Sequence, residues 1–353
     1  MSAQTLIHSI IQRIATGPEL SKNIELEEAS AAMSAILDGE IDDVQSAIFL
    51  IALRMKRETI EENFGILDAL LKATDRQQAD VEDLVDLGDP YSGYNRSIPI
   101  SAFLPPLLAE LGLPCIIHGL DSVTPKFGLT HKHVNQVLNN NIEFSVKEAK
   151  TRLEDSKKGW AYLDQSRYCA SLHDLVSLRN KIVKRTVVNT VESLIGPIRA
   201  KRTHSILGFV HKPYPPIYAA LTARAGFDTS LVIRGVEGGV VPSLRQKGLM
   251  ISYVGEVEKA RTEIDPKEMG IEQVLRSIAF PQNLSLKGDK KALAEHTVAL
   301  GKAALSGEKG MFYDGLVYTA SLILWHLEKF KDLSNAAERV REVLDSARAL
   351  KRL

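Results

Sequence analysis

Cysteine is nearly absent. Cys115 and Cys169 are the only two in 353 residues. Two isolated thiols make no disulfide framework, and no CxxC or Cys/His spacing offers a zinc site, so a reducing cytoplasm is the expected setting. Long apolar runs are also missing: no stretch of 18 occurs, and the opening "MSAQTLIHSIIQRIATG" lacks a basic segment followed by an unbroken apolar one. Neither a membrane span nor secretion is therefore expected. Net charge is zero, with 44 basic against 44 acidic residues, so a polyanionic partner would have to be met by a local patch. There is no internal repeat and no low-complexity linker. No Ser/His/Asp or Cys/His nucleophile arrangement stands out, and no pair of carboxylates separates itself from ordinary surface acids.

What is present divides the chain in two. A length of 353 residues exceeds what one core usually serves. From Leu6 to about Ala73 apolar residues recur at helical spacing, with Gly39 and Thr59 as break points. From about Val81 the texture changes. "LPCIIHG", "HSILGFVH" and "SLVIRGVEGG" are short runs rich in Ile and Val that end at Gly or His, the pattern of buried strands. Helical stretches alternate with them, at Pro215 to Ala225 and from about Lys290 to Leu350. This predicts an α/β protein with a mainly parallel sheet and a small all-helical domain. The helical domain is expected over residues 1–75, completed by about 170–195, with the α/β domain formed by 80–168 and 198–353.

The stretch "MSAILDGEIDDVQSAIFLIALRMKRETIEE" resembles the amino-terminal signature of the anthranilate phosphoribosyltransferase family, glycosyltransferase family 3. Met33, Gly39, Glu40, Gln45, Phe49, Ala52, Leu53, Arg54 and Lys56 fall in place without a gap. The likeness continues through "LGLPCIIHG", "RTVVN" and "SGEKG". It implies the nucleoside-phosphorylase-like transferase fold and a homodimer formed through the helical domain.

The family's site motifs are only partly kept. Its phosphate loop, GTGGD, corresponds to Asp89, Pro90, Tyr91, Ser92 and Gly93. Such a cradle works through converging backbone N–H groups, and here Pro90 has none while Asp89 is expected to set negative charge beside a phosphate. The acidic pair that holds magnesium in the family corresponds to Val240 and Val241, which offer no oxygen, with Glu237 as a displaced alternative. Remnants of the ligand cleft are Gly93, Ser101, His118, Gly119, Ser122, Lys126 and Arg179. Four of them have a plainer role open to them: a helix cap for Ser101, a tight strand end for His118 and Gly119, a solvated or ion-paired helix position for Arg179. No catalytic residue can be assigned and no cofactor is expected, Mg²⁺ entering only if the chain is a transferase.

Between Leu175 and His204 basic residues accumulate: Arg179, Lys181, Lys184, Arg185, Arg199, Lys201 and Arg202, opposed only by Glu192. The spacing predicts Lys181, Lys184 and Arg185 on one helical face. Nearby aromatics are few, with Trp160, Tyr168 and Tyr214 the nearest in sequence. The chain resembles the divergent second-type branch of the family, which lacks the same motifs and binds nucleic acid without sequence preference. The expected function is therefore sequence-nonspecific binding of a nucleic-acid backbone, or of another phosphate-rich ligand, through Lys181, Lys184, Arg185, Arg199, Lys201 and Arg202. The alternatives are a pentosyltransferase with a site rebuilt around Ser101, Lys126 and Arg179, and a non-catalytic partner subunit.

Overall fold

The computed structural model describes residues 2–17 and 19–353. Met1, with which the expected helical domain opens, and Pro18 lie outside the described residues. Four helices come first: α1 (Ala3–Ile14), α2 (Leu26–Leu37), α3 (Asp43–Lys56) and α4 (Ile60–Lys72). The two expected breaks are real. Gly39 takes φ 73° just after α2. Thr59 caps α4: its hydroxyl accepts from Glu62 N at 3.2 Å while Glu62 accepts from Thr59 N at 2.8 Å. Among the described residues no helix is long and apolar enough to cross a membrane.

The strands are β1 (Gln77–Gln78), β2 (Asp83–Gly88), β3 (Cys115–Gly119), β4 (Trp160–Asp164), β5 (Ile198–Arg199), β6 (Arg202–Phe209), β7 (Thr229–Arg234), β8 (Gly248–Val254) and β9 (Val257–Ile264). β1 and β5 pair with each other, and the other seven form one sheet in the order β4-β3-β2-β6-β7-β8-β9. The first five run parallel and the last two join antiparallel.

Period-two alternation gives the sheet two apolar faces. Leu84, Ile116, Ala161, Leu163 and Leu207 share a core with α1–α4 and with Tyr168, Cys169, Leu172, Val187, Val188 and Val191. The segment near residues 170–195 thus packs with the helical domain. Val85, Leu87, Cys115, Ile117, Ile206, Leu231 and Ile233 face the other core, with the helices Lys290–Leu305, Met311–His326 and Leu333–Asp345.

Strand order decides where a ligand can enter. From β2 the chain proceeds outward through β3 to β4, then returns to place β6 on the other side of β2 and continues to β7. The boundary between β2 and β6 is a topological switch point, and crevices open there beyond the carboxyl ends of the strands.

Candidate functional site: a cationic interdomain cleft

A cleft of about 660 Å³ lies at that point. Its floor is Gly88 from the end of β2 and Leu207, Gly208 and Phe209 from the end of β6. One wall comes from the helical side: Arg54 of α3 with Arg185, Thr186, Asn189 and Ser193. The opposite wall carries Arg234, the turn through Glu237, and Lys247 and Arg276. Arg96 and Lys126 come from the loops after β2 and β3. The turn can press this close to the floor because Gly208 has no side chain; a Cβ there would lie 2.1 Å from the Gly239 carbonyl oxygen.

The charge balance within the cleft differs from that of the whole chain. Arg54 is held by Glu58 at 2.9 Å and by the Tyr214 hydroxyl at 2.8 Å, and Lys247 pairs with Glu263 at 2.7 Å. Arg96, Arg185, Arg234 and Arg276 are exposed, and among the described residues none of their side chains has an acidic partner or a hydrogen bond. Unpaired guanidiniums gathered in one crevice suit the planar, two-pronged recognition of phosphate oxygens. Lys126 donates to the carbonyls of Gly93 at 3.1 Å and Glu237 at 2.6 Å. Burial, together with Arg185 and Arg96 close by and against the pull of Glu237, lowers its ammonium to a pKa of about 8. Phe209, His211, Tyr214 and Tyr218 add an aromatic wall, with the two tyrosine rings 5.5 Å apart.

The loop after β2 is folded around its own acid. Asp89, expected to oppose a phosphate, is buried instead. Its oxygens accept from Tyr94 at 2.8 Å, from the Val240 amide at 2.9 Å and from Ser101, and His131 lies 2.9 Å away. Burial disfavours the charge, but His131, Ser101 and Tyr94 outweigh it and hold the carboxyl below its usual range. Gly93 takes φ 72°, and a Cβ there would meet the Leu129 carbonyl at 2.7 Å.

The residues do not suit a resident Mg²⁺. Glu237 is the one acidic side chain among those lining the cleft, and its carboxylate already accepts from Asn95 N, Arg96 N and Ser97 Oγ. Val240 and Val241 are buried and offer no oxygen. Among the described residues no group of three or more His, Cys, Asp and Glu is placed to hold a metal ion.

Residues 8–74 match the helical bundle domain of a glycosyl transferase family, and residues 92–350 match the a/b domain of the glycosyl transferase family. The chain belongs to this family. An anthranilate phosphoribosyltransferase of Methanopyrus kandleri is 27% identical over 350 residues, covering 97% of this chain and 96% of the relative. An uncharacterized protein of Aquifex aeolicus is 27% identical over 322 residues, 91% of this chain and 93% of its own. Among solved structures, the anthranilate phosphoribosyltransferase of Thermus thermophilus superposes with a TM-score of 0.71 at 21% identity, over 98% and 96% of the two chains. The Saccharomyces cerevisiae enzyme in complex with PRPP and Mg gives 0.75 at 16% identity, over 99% and 96%. At these identities the structures establish a shared glycosyl transferase fold.

Within that fold the residues singled out from sequence scatter. Lys126 and Arg185 line the cleft. Ser101 is fully buried, bonded to Asp89 and 3.0 Å from His131, and its side chain caps no helix. His118 is buried between Asp86, at 2.9 Å, and Tyr91, in keeping with a structural strand end. Gly119 closes the same strand, and Ser122 donates to the Gly128 carbonyl at 3.4 Å. Arg179 is wholly buried against Glu192. Arg199 is also buried: it lies over the Phe227 ring at 3.6 Å, donates to the carbonyls of Ile195 and Ala225, and burial lowers its pKa to about 10. Neither arginine presents a cation to solvent: Arg179 takes the ion-paired role that the sequence leaves open to it, and the burial of Arg199 corrects its reading as a surface contact.

The single helical face for Lys181, Lys184 and Arg185 is corrected too. The helix Val176–Ile182 stops at Val183, which turns left-handed at φ 64°, so Lys184 and Arg185 follow in an irregular segment. Lys201 and Arg202 pair with Glu82 and Asp83 at the start of β6. The cleft lies at the far end of that strand, roughly 23 Å away at 3.3 Å per residue. The sequence reading missed Arg234, Lys247 and Arg276 altogether. Arg96 stood in the loop after β2 and Arg234 ended the run "SLVIRG", but no spacing linked them.

Proposed function

We propose that the protein binds the backbone of single-stranded nucleic acid in the interdomain cleft, without reading sequence and without a metal ion. One observation carries the reading: Arg96, Arg185, Arg234 and Arg276 line a single crevice with no acid paired to them among the described residues. Binding of this kind combines a cationic groove with aromatic faces for base stacking, and the half-buried rings of Tyr214 and Tyr218 supply the latter. The functional cations are thus those of the cleft, with Arg185 the member of the original basic cluster that takes part. We infer further that two copies associate through the helical domain, where Val44 and Met55 of α3 are 69% and 72% exposed.

The second reading is phosphoribosyl transfer from PRPP by a rebuilt site. The position of the cleft at the switch point and the family relationship favour it. Fluorescence anisotropy with a labelled oligonucleotide separates the two. Nucleic-acid binding requires log affinity to fall with log salt by roughly 0.7 per phosphate contacted. Displacement of the oligonucleotide by PRPP only when Mg²⁺ is added would favour the transferase, and an affinity indifferent to salt would refute the nucleic-acid reading.

A further inference from the structure

Glu237 does not project its charge into the cleft. Its Oε1 accepts from Arg96 N at 3.1 Å and from Ser97 Oγ at 2.7 Å, and its Oε2 accepts from Asn95 N at 3.0 Å, with Lys126 Nζ 3.9 Å away. Two consecutive backbone amides, a hydroxyl and an ammonium converge on two oxygens. That is the donor set with which loops hold a phosphate. Asn95 and Arg96 are exposed, Ser97 is buried, and Arg96, Ser97, Lys126 and Glu237 all line the cleft, so the donors face it once the carboxylate moves aside. The carboxylate is carried by a strained residue. Glu237 sits at φ 55°, ψ 14°, a region few residues with a side chain occupy, followed by Gly238 at φ 87°.

We propose that Asn95–Ser97 is a phosphate subsite and that Glu237 is its built-in stopper, a carboxylate that fills the donors until a ligand phosphate displaces it. The inference rests on the cleft reading above. The stopper lowers the apparent affinity, because the ligand meets an open subsite only in the fraction of molecules where Glu237 has swung away. It also explains how an acidic side chain is tolerated in a crevice that is otherwise cationic.

The test uses inorganic pyrophosphate as probe and calorimetry on the full chain. Glu237→Ala should bind it about tenfold tighter than the wild type, since every molecule then offers the open subsite. Adding Ser97→Ala to that variant should reverse most of the gain. The same change in the wild type should matter little, because Ser97 holds the stopper and the ligand alike. A Glu237→Ala affinity no tighter than the wild type overturns the proposal. So does a gain that survives Ser97→Ala, which would reflect only the loss of a negative charge. Should Glu237→Ala fail to fold, hydrogen exchange on the wild type decides. Saturating pyrophosphate should speed exchange in residues 235–240 while 94–98 stay protected, and an unchanged or slowed 235–240 segment counts against displacement. Failure of the cleft reading looks different: oligonucleotide affinity would then be indifferent to Arg185 and Arg234, whatever pyrophosphate does.

Discussion

Arg179 grips Glu192 with both prongs of its guanidinium, Nη1 to Oε2 at 2.8 Å and Nη2 to Oε1 at 2.7 Å, and neither side chain is more than 2% exposed. The pair joins the helix Val176–Ile182 to the segment that continues into β5. Removing one partner strands the other charge away from water. Arg179→Ala is expected to lower stability by about 3–5 kcal/mol, whereas replacing both residues by apolar ones of similar size should restore much of the loss. Urea unfolding of the three chains checks this, and a single variant within about 1 kcal/mol of the wild type would remove the pair from the stability argument.

A second buried chain of polar groups crosses the other end of the sheet. Asp83 lies 3.0 Å from His204, whose second nitrogen meets the Thr229 hydroxyl at 2.9 Å. Thr229 contacts His326 at 3.1 Å, and His326 meets Ser252 at 3.0 Å. Burial lowers the His326 pKa from 6.5 to about 4, with His204 adding to the effect, and burial lowers His204 as well. A histidine held below its unfolded pKa favours folding while both states are neutral. That contribution is complete above about pH 6.5 and is lost as pH falls toward 4, by up to roughly 3 kcal/mol for His326. Urea midpoints at pH 7 and pH 4.5 should therefore differ more for the wild type than for His326→Gln; equal differences would dissociate acid lability from this histidine.

The helical domain and the strands β3, β6 and β7 were legible because each obeys one period and ends at a recognisable break, as Gly39 and Thr59 show. β2 was harder to read. Its run "DLVDLG" carries two acids, and both are buried because His204 and His118 stand beside them on neighbouring strands. The site was harder still. Local density of basic residues says nothing about burial, so Arg179 and Arg199 looked like surface cations. The four arginines that have no paired acid among the described residues stand at positions 96, 185, 234 and 276, and the folding of the chain, not their spacing, brings them to one cleft.

The proposed association through the helical domain makes the exposed stripe on α3 testable. Val44, Ile48 and Met55 recur at spacings that keep them on one face. Charges placed there should oppose apolar contact. Light scattering after gel filtration should give a dimer for the wild type and a monomer for Val44→Glu combined with Met55→Glu, with far-UV circular dichroism unchanged. A variant that still runs as a dimer would move the interface elsewhere.

Lys126 gives the cleft a pH dependence of its own. Its pKa of about 8 means that the ammonium is charged below that pH and neutral above it. Affinity for an anionic ligand should fall as pH rises from 7 to 9.5, by about tenfold, the weight of one charge-assisted contact near 1.5 kcal/mol. Lys126→Arg keeps its charge throughout and should flatten the profile. Anisotropy at fixed salt across this range reads the difference, and a wild-type profile already flat would exclude Lys126 from the contact.

The strongest contrast lies between cations of the cleft and cations outside it. Arg185→Ala, Arg234→Ala and Arg276→Ala should each weaken oligonucleotide binding by about tenfold and reduce the salt slope by roughly 0.7, the signature of one phosphate no longer neutralised. Lys201→Ala and Arg202→Ala, whose charges are already opposed by Glu82 and Asp83 at the far end of β6, should leave both quantities unchanged. Arg199→Ala should reduce stability, since it removes the packing on the Phe227 ring and two hydrogen bonds to carbonyls, while the salt slope of the folded protein stays as it was. Because slope and affinity are read in one titration, a binding defect can be told from an unfolding defect. Were Lys201 and Arg202 to carry the slope and the cleft arginines not, the nucleic acid would lie across the opposite end of the sheet.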